Sequence, residues 1–352
     1  MTMRSYTVTQ LSQPLELVES AIPQPQGTEV LLRVTAAGLC HSDLHLWEGY
    51  YDMGGGKRLN MADRGIKPPM ILSHEICGEI VSAGPDSEPV VTGARVLAHP
   101  WIGCNDCDYC RRGEENICPK GCSLGVHRAG GFADYVIVPH ARYLVDISGL
   151  DEAEVAPLAC AGVTTYSAIR KFGNRIHEGP VVIIGAGGLG HTALKILQAL
   201  GAKGAIFVDI DPTKREAILA AGALAAIDGK AEDAVKQVFK ATNGGARAVL
   251  DLVGTTATVT LGMAATARGG HIVICGLIGG EITISIPLIP MKPLKIEGSY
   301  VGTLPELREL VDLVKRTKGA AIPVTRRPLT EINAAMQELA AGKVIGRTVM
   351  IP

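Results

Sequence analysis

The chain contains 352 residues, a length typical of about two domains, and it carries a formal net charge of −1. Hydrophobic residues make up 47% of it and charged residues 20%, the ordinary balance of a folded protein with substantial apolar cores. The near-neutral charge, the aromatic content of 4% and the lack of a Lys/Arg tract argue against a nucleic-acid or acidic-surface partner.

The sequence predicts neither export nor a membrane partner. Its first residues, MTMRSYTVTQ, lack the apolar stretch of a secretory signal, and no apolar window reaches the length of a membrane span. Nine cysteines without an export signal indicate a reducing compartment, where thiols serve as metal ligands or core residues. We therefore expect a cytoplasmic protein.

Short β-rich segments, separated by glycine and proline, fill the first 150 residues and predict a β-barrel-like domain. Between two of them, residues 49–69 form a long loop that carries glycines and charges. Such a loop is either a functional lid or assembly surface, or an insertion without a role. The β-rich segments are residues 29–37, 75–84, 94–100 and 132–147.

Four cysteines lie close together in the pattern C-x2-C-x2-C-x7-C. Four thiolates on one short loop can enclose a single ion tetrahedrally with no open position, as a structural zinc site requires. The loop has little apolar content, so metal binding would replace a hydrophobic core and fix its shape. An iron–sulfur cluster and disulfide pairs are the alternatives. The four residues are Cys104, Cys107, Cys110 and Cys118.

The periodicity of apolar residues changes near residue 153. Residues 153–172 have helical periodicity, and strand candidates then alternate with amphipathic helices, a pattern that predicts an α/β, doubly wound parallel sheet. A further helix is predicted over 304–316 and a terminal strand over 347–351. The strand candidates are 181–188, 205–211, 248–254 and 271–280, and the helix candidates between them are 191–202 and 213–223.

A glycine motif, G-x-G-x-x-G, follows the first of these strands and opens a helix. It comprises Gly185, Gly187 and Gly190, with Gly188 and Leu189 inside it. A strand-to-helix turn without side chains lets a pyrophosphate approach the helix N-terminus, where free N–H groups and the helix dipole stabilise negative charge. The alternative is that the glycines serve only close packing of helix on strand.

Asp209 ends the next strand, where an acidic residue would accept hydrogen bonds from the adenosine ribose hydroxyls of a dinucleotide. A carboxylate there repels a ribose phosphate, so the sequence favours NAD over NADP. Lys214 could also reach the ribose, whereas Asp211 is expected to be a solvated acid or the N-cap of the helix that starts at Pro212.

A second set of metal-ligand residue types lies outside the four-cysteine loop. Cys40 lies in GLCHSD, His74 and Glu75 lie in ILSHEICGE, and Cys160 lies in PLACAG. Their spread along the chain does not show whether they meet. Taken singly, a cysteine of this kind is more often a small buried apolar residue than a ligand.

These segments, the four-cysteine loop, the glycine turn and the terminal GRTVMIP together resemble the zinc-dependent medium-chain alcohol dehydrogenases, nearly end to end. The likeness is greatest to tetrameric archaeal and bacterial members with broad alcohol specificity. It implies a Rossmann domain at residues 151–302. It also implies a β-rich GroES-like (chaperonin-10-like) catalytic domain at residues 1–150 and 303–352.

The resemblance also implies two zinc ions per subunit, one catalytic and one structural, with NAD as cofactor. Cys40, His74 and Cys160 match the family's catalytic zinc ligands, a set established for alcohol dehydrogenases. Glu75 matches an acidic neighbour that can approach the metal during ligand exchange. Asp43 matches the acid behind the histidine ligand.

The family's proton relay corresponds to Ser42, which takes the alcohol proton, and to His45, which passes it toward solvent. The ordinary pKa of histidine suits that role. Ser42 could instead be only a capping residue, and His45 only a surface histidine. Arg347 matches an arginine that contacts the cofactor pyrophosphate, with a surface ion pair as the alternative.

The substrate pocket is expected at Trp101, Leu277 and Val301, which would accept apolar alcohols, although Trp101 could equally be core. The implied function is reversible oxidation of primary, secondary or cyclic alcohols to aldehydes or ketones, with hydride transfer to NAD. A polyol or other specialised hydroxy-compound dehydrogenase is the alternative enzyme, and a zinc-stapled dinucleotide-binding protein the non-enzymatic one. A homotetramer is implied, or else a dimer.

Overall fold

The computed structural model describes residues 1–317 and 322–352. The first part of the chain is β-rich and contains two short helices. Its elements are β1 (Thr2–Val8), β2 (Glu16–Ala21), β3 (Val30–Gly38), α1 (His41–Glu48), β4 (Tyr50–Asp52), β5 (Arg58–Asn60), β6 (Met70–Ile71), β7 (Glu75–Ala83), β8 (Arg95–Ala98), α2 (Asp108–Arg111), β9 (Tyr135–Val138) and β10 (Leu144–Asp146).

The middle part alternates strands and helices. Its elements are α3 (Glu152–Val155), α4 (Ala161–Lys171), α5 (Arg175–Glu178), β11 (Val181–Ile184), α6 (Gly188–Ala199), β12 (Ala205–Asp209), α7 (Pro212–Ala220), β13 (Ala225–Asp228), α8 (Ala234–Ala241), β14 (Ala246–Asp251), α9 (Thr256–Ala265), β15 (Thr266–Ile274), α10 (Leu288–Met291) and β16 (Lys295–Gly298). The last elements are α11 (Leu304–Thr317), β17 (Val324–Pro328), α12 (Ile332–Ala340) and β18 (Arg347–Ile351).

The β-rich part is organised around β3, which is buried along almost its whole length except at Arg33. This strand pairs antiparallel with β7, β9 and β18, and the sheet runs in the order β10-β8-β7-β3-β18-β17. The pairing of Val349 with Gly38 places the last strand of the chain beside an early one. The predicted β-rich segments are confirmed as strands. The division of the chain at residues 150 and 303 stays a prediction.

The middle part forms one six-stranded sheet in the order β13-β12-β11-β14-β15-β16, and every neighbouring pair in it is parallel. All four residues of the central strand β11 are buried, as expected for a parallel sheet covered by helices on both faces. The doubly wound parallel sheet predicted from the alternating pattern is therefore confirmed.

Two segments differ from their sequence interpretation. The helical stretch 153–172 is broken at Cys160, whose φ of −126° and ψ of −75° separate a short 3₁₀ turn from α4. The segment 49–69 is not a plain loop, because β4 and β5 pair within it as a hairpin. The hairpin lies against the segment that follows β15, where a Cβ added to Gly54 would come within 2.6 Å of the Gly280 backbone.

Among the residues that the structure describes, none of the helices has the length and apolar character needed to cross a membrane.

Candidate active site and metal centres

Three ligand-type side chains that are remote in sequence meet in the interior. The ligand atoms of Cys40, His74 and Cys160 lie within 4.8 Å of one another, and all three residues are buried. Cys40 is the N-cap of α1, His74 immediately precedes β7, and Cys160 occupies the break before α4. The break therefore has a structural consequence, since it turns the thiol toward the other two side chains.

The donor set fits a zinc ion. The sulfurs of Cys40 and Cys160 lie 3.8 Å apart, close to the separation of about 3.8 Å for two thiolates that bind one tetrahedral zinc at about 2.3 Å. Both ring nitrogens of His74 are buried without a hydrogen-bond partner in the described structure. A buried polar atom without a partner is costly, and a metal at one of these nitrogens would satisfy it.

The buried carboxylate of Asp43 ties two of these segments together. It accepts hydrogen bonds from the Cys40 backbone N–H at 2.8 Å and the Ser73 backbone N–H at 3.1 Å, and it lies 3.6 Å from Nδ1 of His74. Burial raises the pKa of Asp43 to about 6, although the nearby His74 opposes the rise. This contact leaves Nε2 of His74 as the nitrogen for a metal.

Glu75 pairs with Arg347 rather than with the three clustered ligand atoms. Nε of Arg347 donates to Oε2 of Glu75 at 3.1 Å, a second guanidinium nitrogen donates to Oε1, and both side chains are buried. Burial raises the pKa of the Glu75 carboxyl, and the guanidinium opposes the rise. The surface ion pair considered as an alternative for Arg347 is wrong, because its side chain is only 5% exposed.

The two relay candidates lie on α1 at the wall of a cleft. Ser42 and His45 both line this cleft beside Cys40. Partial burial, together with the neighbouring His41, lowers the pKa of His45 to about 4. The expectation of an ordinary pKa for His45 is therefore wrong. Its ring is neutral at pH 7 and can hold an additional proton only transiently.

The same cleft, about 1590 Å³ in volume, contains the three predicted pocket residues. The ring of Trp101 lies 5.3 Å from that of His74, and its Nε1 donates to the Ala159 carbonyl at 3.1 Å. Trp101 is thus both a buried residue and a wall of the cleft beside the ligand cluster. Leu277 is half exposed and Val301 is buried.

The glycine turn also lines this cleft, and its glycines differ in backbone conformation and surroundings. Gly185 has a φ of 103°, and a Cβ added to Gly190 would lie 2.3 Å from the Gly185 carbonyl oxygen, which forces close helix–strand packing. A Cβ added to Gly187, the N-cap of α6, would meet nothing within 4 Å. This open space at a helix N-terminus is where a pyrophosphate would lie. Gly188 and Leu189 line the same wall.

Asp209 lies at the end of β12 beside the turn. Its carboxylate accepts hydrogen bonds from the backbone N–H of Ala186 at 2.7 Å and of Asp211 at 2.9 Å. Lys214 also lines the cleft. Asp211 caps α7 through the Thr213 N–H at 2.8 Å, which confirms its interpretation as an N-cap.

The four cysteines of the C-x2-C-x2-C-x7-C loop form a second cluster, with all ligand atoms within 4.8 Å of one another. Sulfur separations of 3.5 Å (Cys107 to Cys110), 3.7 Å (Cys107 to Cys118) and 4.0 Å (Cys104 to Cys110) bracket the tetrahedral zinc value of about 3.8 Å. All nine cysteines are free, so the structure shows no disulfide in this loop. Backbone hydrogen bonds from Asp106 and Cys107 lower the pKa of Cys104 to about 6, which favours a thiolate.

Comparison with known proteins agrees with this geometry. Residues 26–149 match the family model for the alcohol dehydrogenase GroES-like domain, and residues 188–316 match the model for zinc-binding dehydrogenases. The chain is 36% identical to an NAD-dependent alcohol dehydrogenase of Sulfurisphaera tokodaii, over 99% of this chain and 100% of that protein. The chain belongs to the zinc-dependent alcohol dehydrogenase family.

Other members are similar over comparable lengths. The alcohol dehydrogenase structure from Aeropyrum pernix superposes with a TM-score of 0.88 at 31% identity, over 99% of this chain and 100% of that one. A D-arabinose 1-dehydrogenase (NADP(+)) of Saccharolobus solfataricus is 34% identical over 97% of this chain and 95% of that protein. The family thus includes members named for different substrates and different cofactors. A zinc-binding family accords with the two cysteine-containing clusters of this chain. NAD is the cofactor in the names of several relatives.

Sequence reasoning missed two aromatic residues of the cleft, Tyr51 and Tyr300. Tyr51 lies in the segment treated as a loop, and Tyr300 directly precedes Val301. The only sequence signal was that each tyrosine lies in or next to a segment that already had an interpretation.

Replacing Cys107 with Ser should lower the melting temperature by at least about 5 °C, because loss of one ligand weakens a metal that substitutes for a hydrophobic core. Differential scanning calorimetry checks this. The control is Cys122→Ser, a half-buried cysteine outside the cluster, which should shift the midpoint far less. Equal midpoints for both variants and the parent protein would remove the structural-zinc assignment.

Replacing Asp209 with Gly should lower the ratio of kcat/KM for NAD to that for NADP by at least about tenfold, since a carboxylate that accepts ribose hydroxyls also repels a ribose phosphate. The matched control is Asp211→Asn, which removes a neighbouring charge and keeps a capping side chain. If both variants change the ratio equally, the effect comes from general charge and not from contact with the ribose.

Proposed function

We propose that the protein is a zinc- and NAD-dependent alcohol dehydrogenase, which reversibly oxidises primary, secondary or cyclic alcohols to aldehydes or ketones. One observation carries the proposal: the buried cluster of Cys40, His74 and Cys160 and the glycine turn open into the same cleft. A metal held by the three clustered residues and a dinucleotide held at the glycine turn would therefore both adjoin the space that a substrate occupies.

In this proposal Cys40, His74 and Cys160 hold the catalytic zinc, and the four-cysteine loop holds the structural one. A zinc ion with three protein ligands has an open position, and it supplies a Lewis acid that lowers the pKa of a hydroxyl group bound there. Asp43 holds the Nδ1 side of the His74 ring, which would leave Nε2 available to the metal. Glu75, held by Arg347, places a buried carboxylate next to His74.

The glycine turn and Asp209 orient the dinucleotide, which accepts the hydride when bound. The space beside Gly187, at the start of α6, is open, and Asp209 lines the same cleft, where its carboxylate could accept hydrogen bonds from the ribose. A Cβ added to Gly188 would lie 3.7 Å from Nη1 of Arg347, so this guanidinium is close enough to the turn to contact a pyrophosphate as well.

Ser42 and His45 provide a path for the alcohol proton. Ser42 lies two residues after Cys40 on the cleft wall, where its hydroxyl can accept the substrate proton while giving up its own. His45, one helical turn further along α1, is neutral at pH 7 because of its pKa of about 4. A neutral ring can receive a proton on one nitrogen and release one from the other.

The fit to a small-molecule alcohol is supported by the names of the relatives, several of which are alcohol dehydrogenases from archaea and bacteria. The walls next to the ligand cluster are apolar at Trp101 and Val301. Such walls suit the carbon skeleton of an alcohol.

We further propose a homo-oligomer, as a tetramer or else a dimer. Strand β16 is an edge of the six-stranded sheet, and the segment before it exposes large apolar side chains. Ile286 is 79% exposed and Met291 is 70% exposed, an arrangement that a second copy of the chain would cover.

Replacing Cys40 with Ala should lower kcat by at least about 10³-fold, because the metal would no longer be held where it stabilises charge on the reacting oxygen. NAD binding, measured by calorimetric titration, should remain within about threefold of the parent, since the glycine turn is untouched. The matched control is Cys77→Ala, another buried cysteine, which lies outside both clusters and outside the cleft lining. Turnover of a simple secondary alcohol at the parent rate would contradict the mechanism.

The pair Ile286→Asp and Met291→Asp should lower the mass of the particle in light scattering after size exclusion, because two charges would have to be buried at the contact. Val91→Asp is the control, since Val91 is an equally exposed apolar residue (74%) in a different part of the chain. An unchanged particle mass in the double variant would place the contact elsewhere.

A further inference from the structure

Two tyrosines line the active-site cleft from different parts of the chain. Tyr51 is the second residue of β4, in the hairpin, and Tyr300 lies just after β16. Both share the cleft with Ser42 and Trp101. Phenol hydroxyls can donate hydrogen bonds to a bound substrate, so their placement bears on which substrates fit.

Tyr51 lies against the relay. Its ring centroid is 4.4 Å from that of His45, and it lines the cleft together with Ser42. Burial raises the pKa of Tyr51 well above its ordinary value, with a further contribution from the Tyr300 phenol. The Tyr51 hydroxyl therefore keeps its proton at neutral pH and can donate a hydrogen bond to a substrate bound in the cleft near His45.

Tyr300 reaches the cleft on the side of Trp101. The two ring centroids lie 6.3 Å apart, and Trp101 in turn lies 5.3 Å from the His74 ring. The residue is 53% exposed and belongs to the cleft wall, so it is accessible to a molecule in the cleft. Its carbonyl accepts a hydrogen bond from Nδ2 of Asn116 at 2.9 Å, which fixes the backbone and does not involve the phenol hydroxyl.

The backbone after Tyr300 is held in an unfavourable conformation. Val301 has a φ of 42°, in the left-handed region, which a β-branched residue rarely adopts. A Cβ added to the next residue, Gly302, would lie 2.5 Å from Cγ2 of Val163, so packing leaves this segment little freedom. Strain kept in place by tight packing is typical of segments that position functional groups.

We infer that the hydroxyls of Tyr51 and Tyr300 bind a second oxygen of the substrate, so the preferred substrates carry a hydroxyl or carbonyl group next to the reacting carbon. This inference rests on the proposed function and narrows its substrate class to vicinal diols and α-hydroxy ketones. A simple alcohol offers these donors no second acceptor, so the two phenols would add nothing to its binding. A site built to hydrogen-bond a substrate oxygen discriminates strongly against the analogue that lacks it.

The relative named D-arabinose 1-dehydrogenase shows that a full-length member of this family can be named for a polyhydroxylated substrate. In this chain the donors would be the two phenols, and Trp101 would contact the carbon skeleton. Arg64 lines the same cleft. Its positive charge would favour the partial negative charge of an oxygen bound there.

The test compares cyclohexanol with trans-1,2-cyclohexanediol, which share a ring and differ in one hydroxyl. Steady-state kinetics with saturating NAD are measured for the zinc-loaded parent, Tyr51→Phe, Tyr300→Phe and the control Tyr50→Phe. Tyr50 is the adjacent hairpin tyrosine and is not among the residues that line the cleft. The Arg58 guanidinium lies 3.9 Å from the centroid of its ring. The parent should show the higher kcat/KM for the diol.

Tyr51→Phe and Tyr300→Phe should each lower the diol-to-cyclohexanol ratio of kcat/KM by about 5- to 30-fold, mostly through KM for Tyr300→Phe. Tyr50→Phe should retain the parent ratio. A ratio that stays constant in both cleft variants, or a parent that prefers cyclohexanol, would overturn the inference while leaving the proposed function intact. A lack of turnover with either alcohol would overturn the proposed function, and the inference with it.

Discussion

A single buried carboxylate organises the centre of this protein. Asp43 accepts hydrogen bonds from the backbone at Cys40 and at Ser73, and its carboxylate lies beside the His74 ring. It therefore holds two ligand-bearing segments in a fixed relative position. Cys160 completes the cluster only because the helical segment that contains it breaks at that residue. The cleft, the relay and the substrate walls are all arranged around these positions.

Much of the fold could be predicted from the sequence because its patterns are local. The alternation of apolar strands with amphipathic helices after residue 153 identified the parallel sheet, and the run VVII followed by the glycine motif located the cofactor turn. Spacing within one loop likewise indicated the four-cysteine cluster. In each case the residues that decide the structure lie within about twenty positions of one another.

The remaining features depend on contacts between distant segments. The residues alone did not show that Cys40 meets Cys160, and only family resemblance suggested it. The pKa of His45 depends on its burial and on the neighbouring His41. The helix break at Cys160 depends on the packing around that residue. Tyr51 went unnoticed because its hairpin is short, and it becomes a cleft wall only where that hairpin meets the segment after β15.

The proposed function requires a metal bound between Cys40, His74 and Cys160. Anomalous diffraction recorded on both sides of the zinc absorption edge, on crystals grown from fully active enzyme, tests it most directly. We predict two zinc peaks per chain, one within the four-cysteine loop and one in contact with Nε2 of His74 and the sulfurs of Cys40 and Cys160. An active preparation with no peak among those three residues would contradict the account.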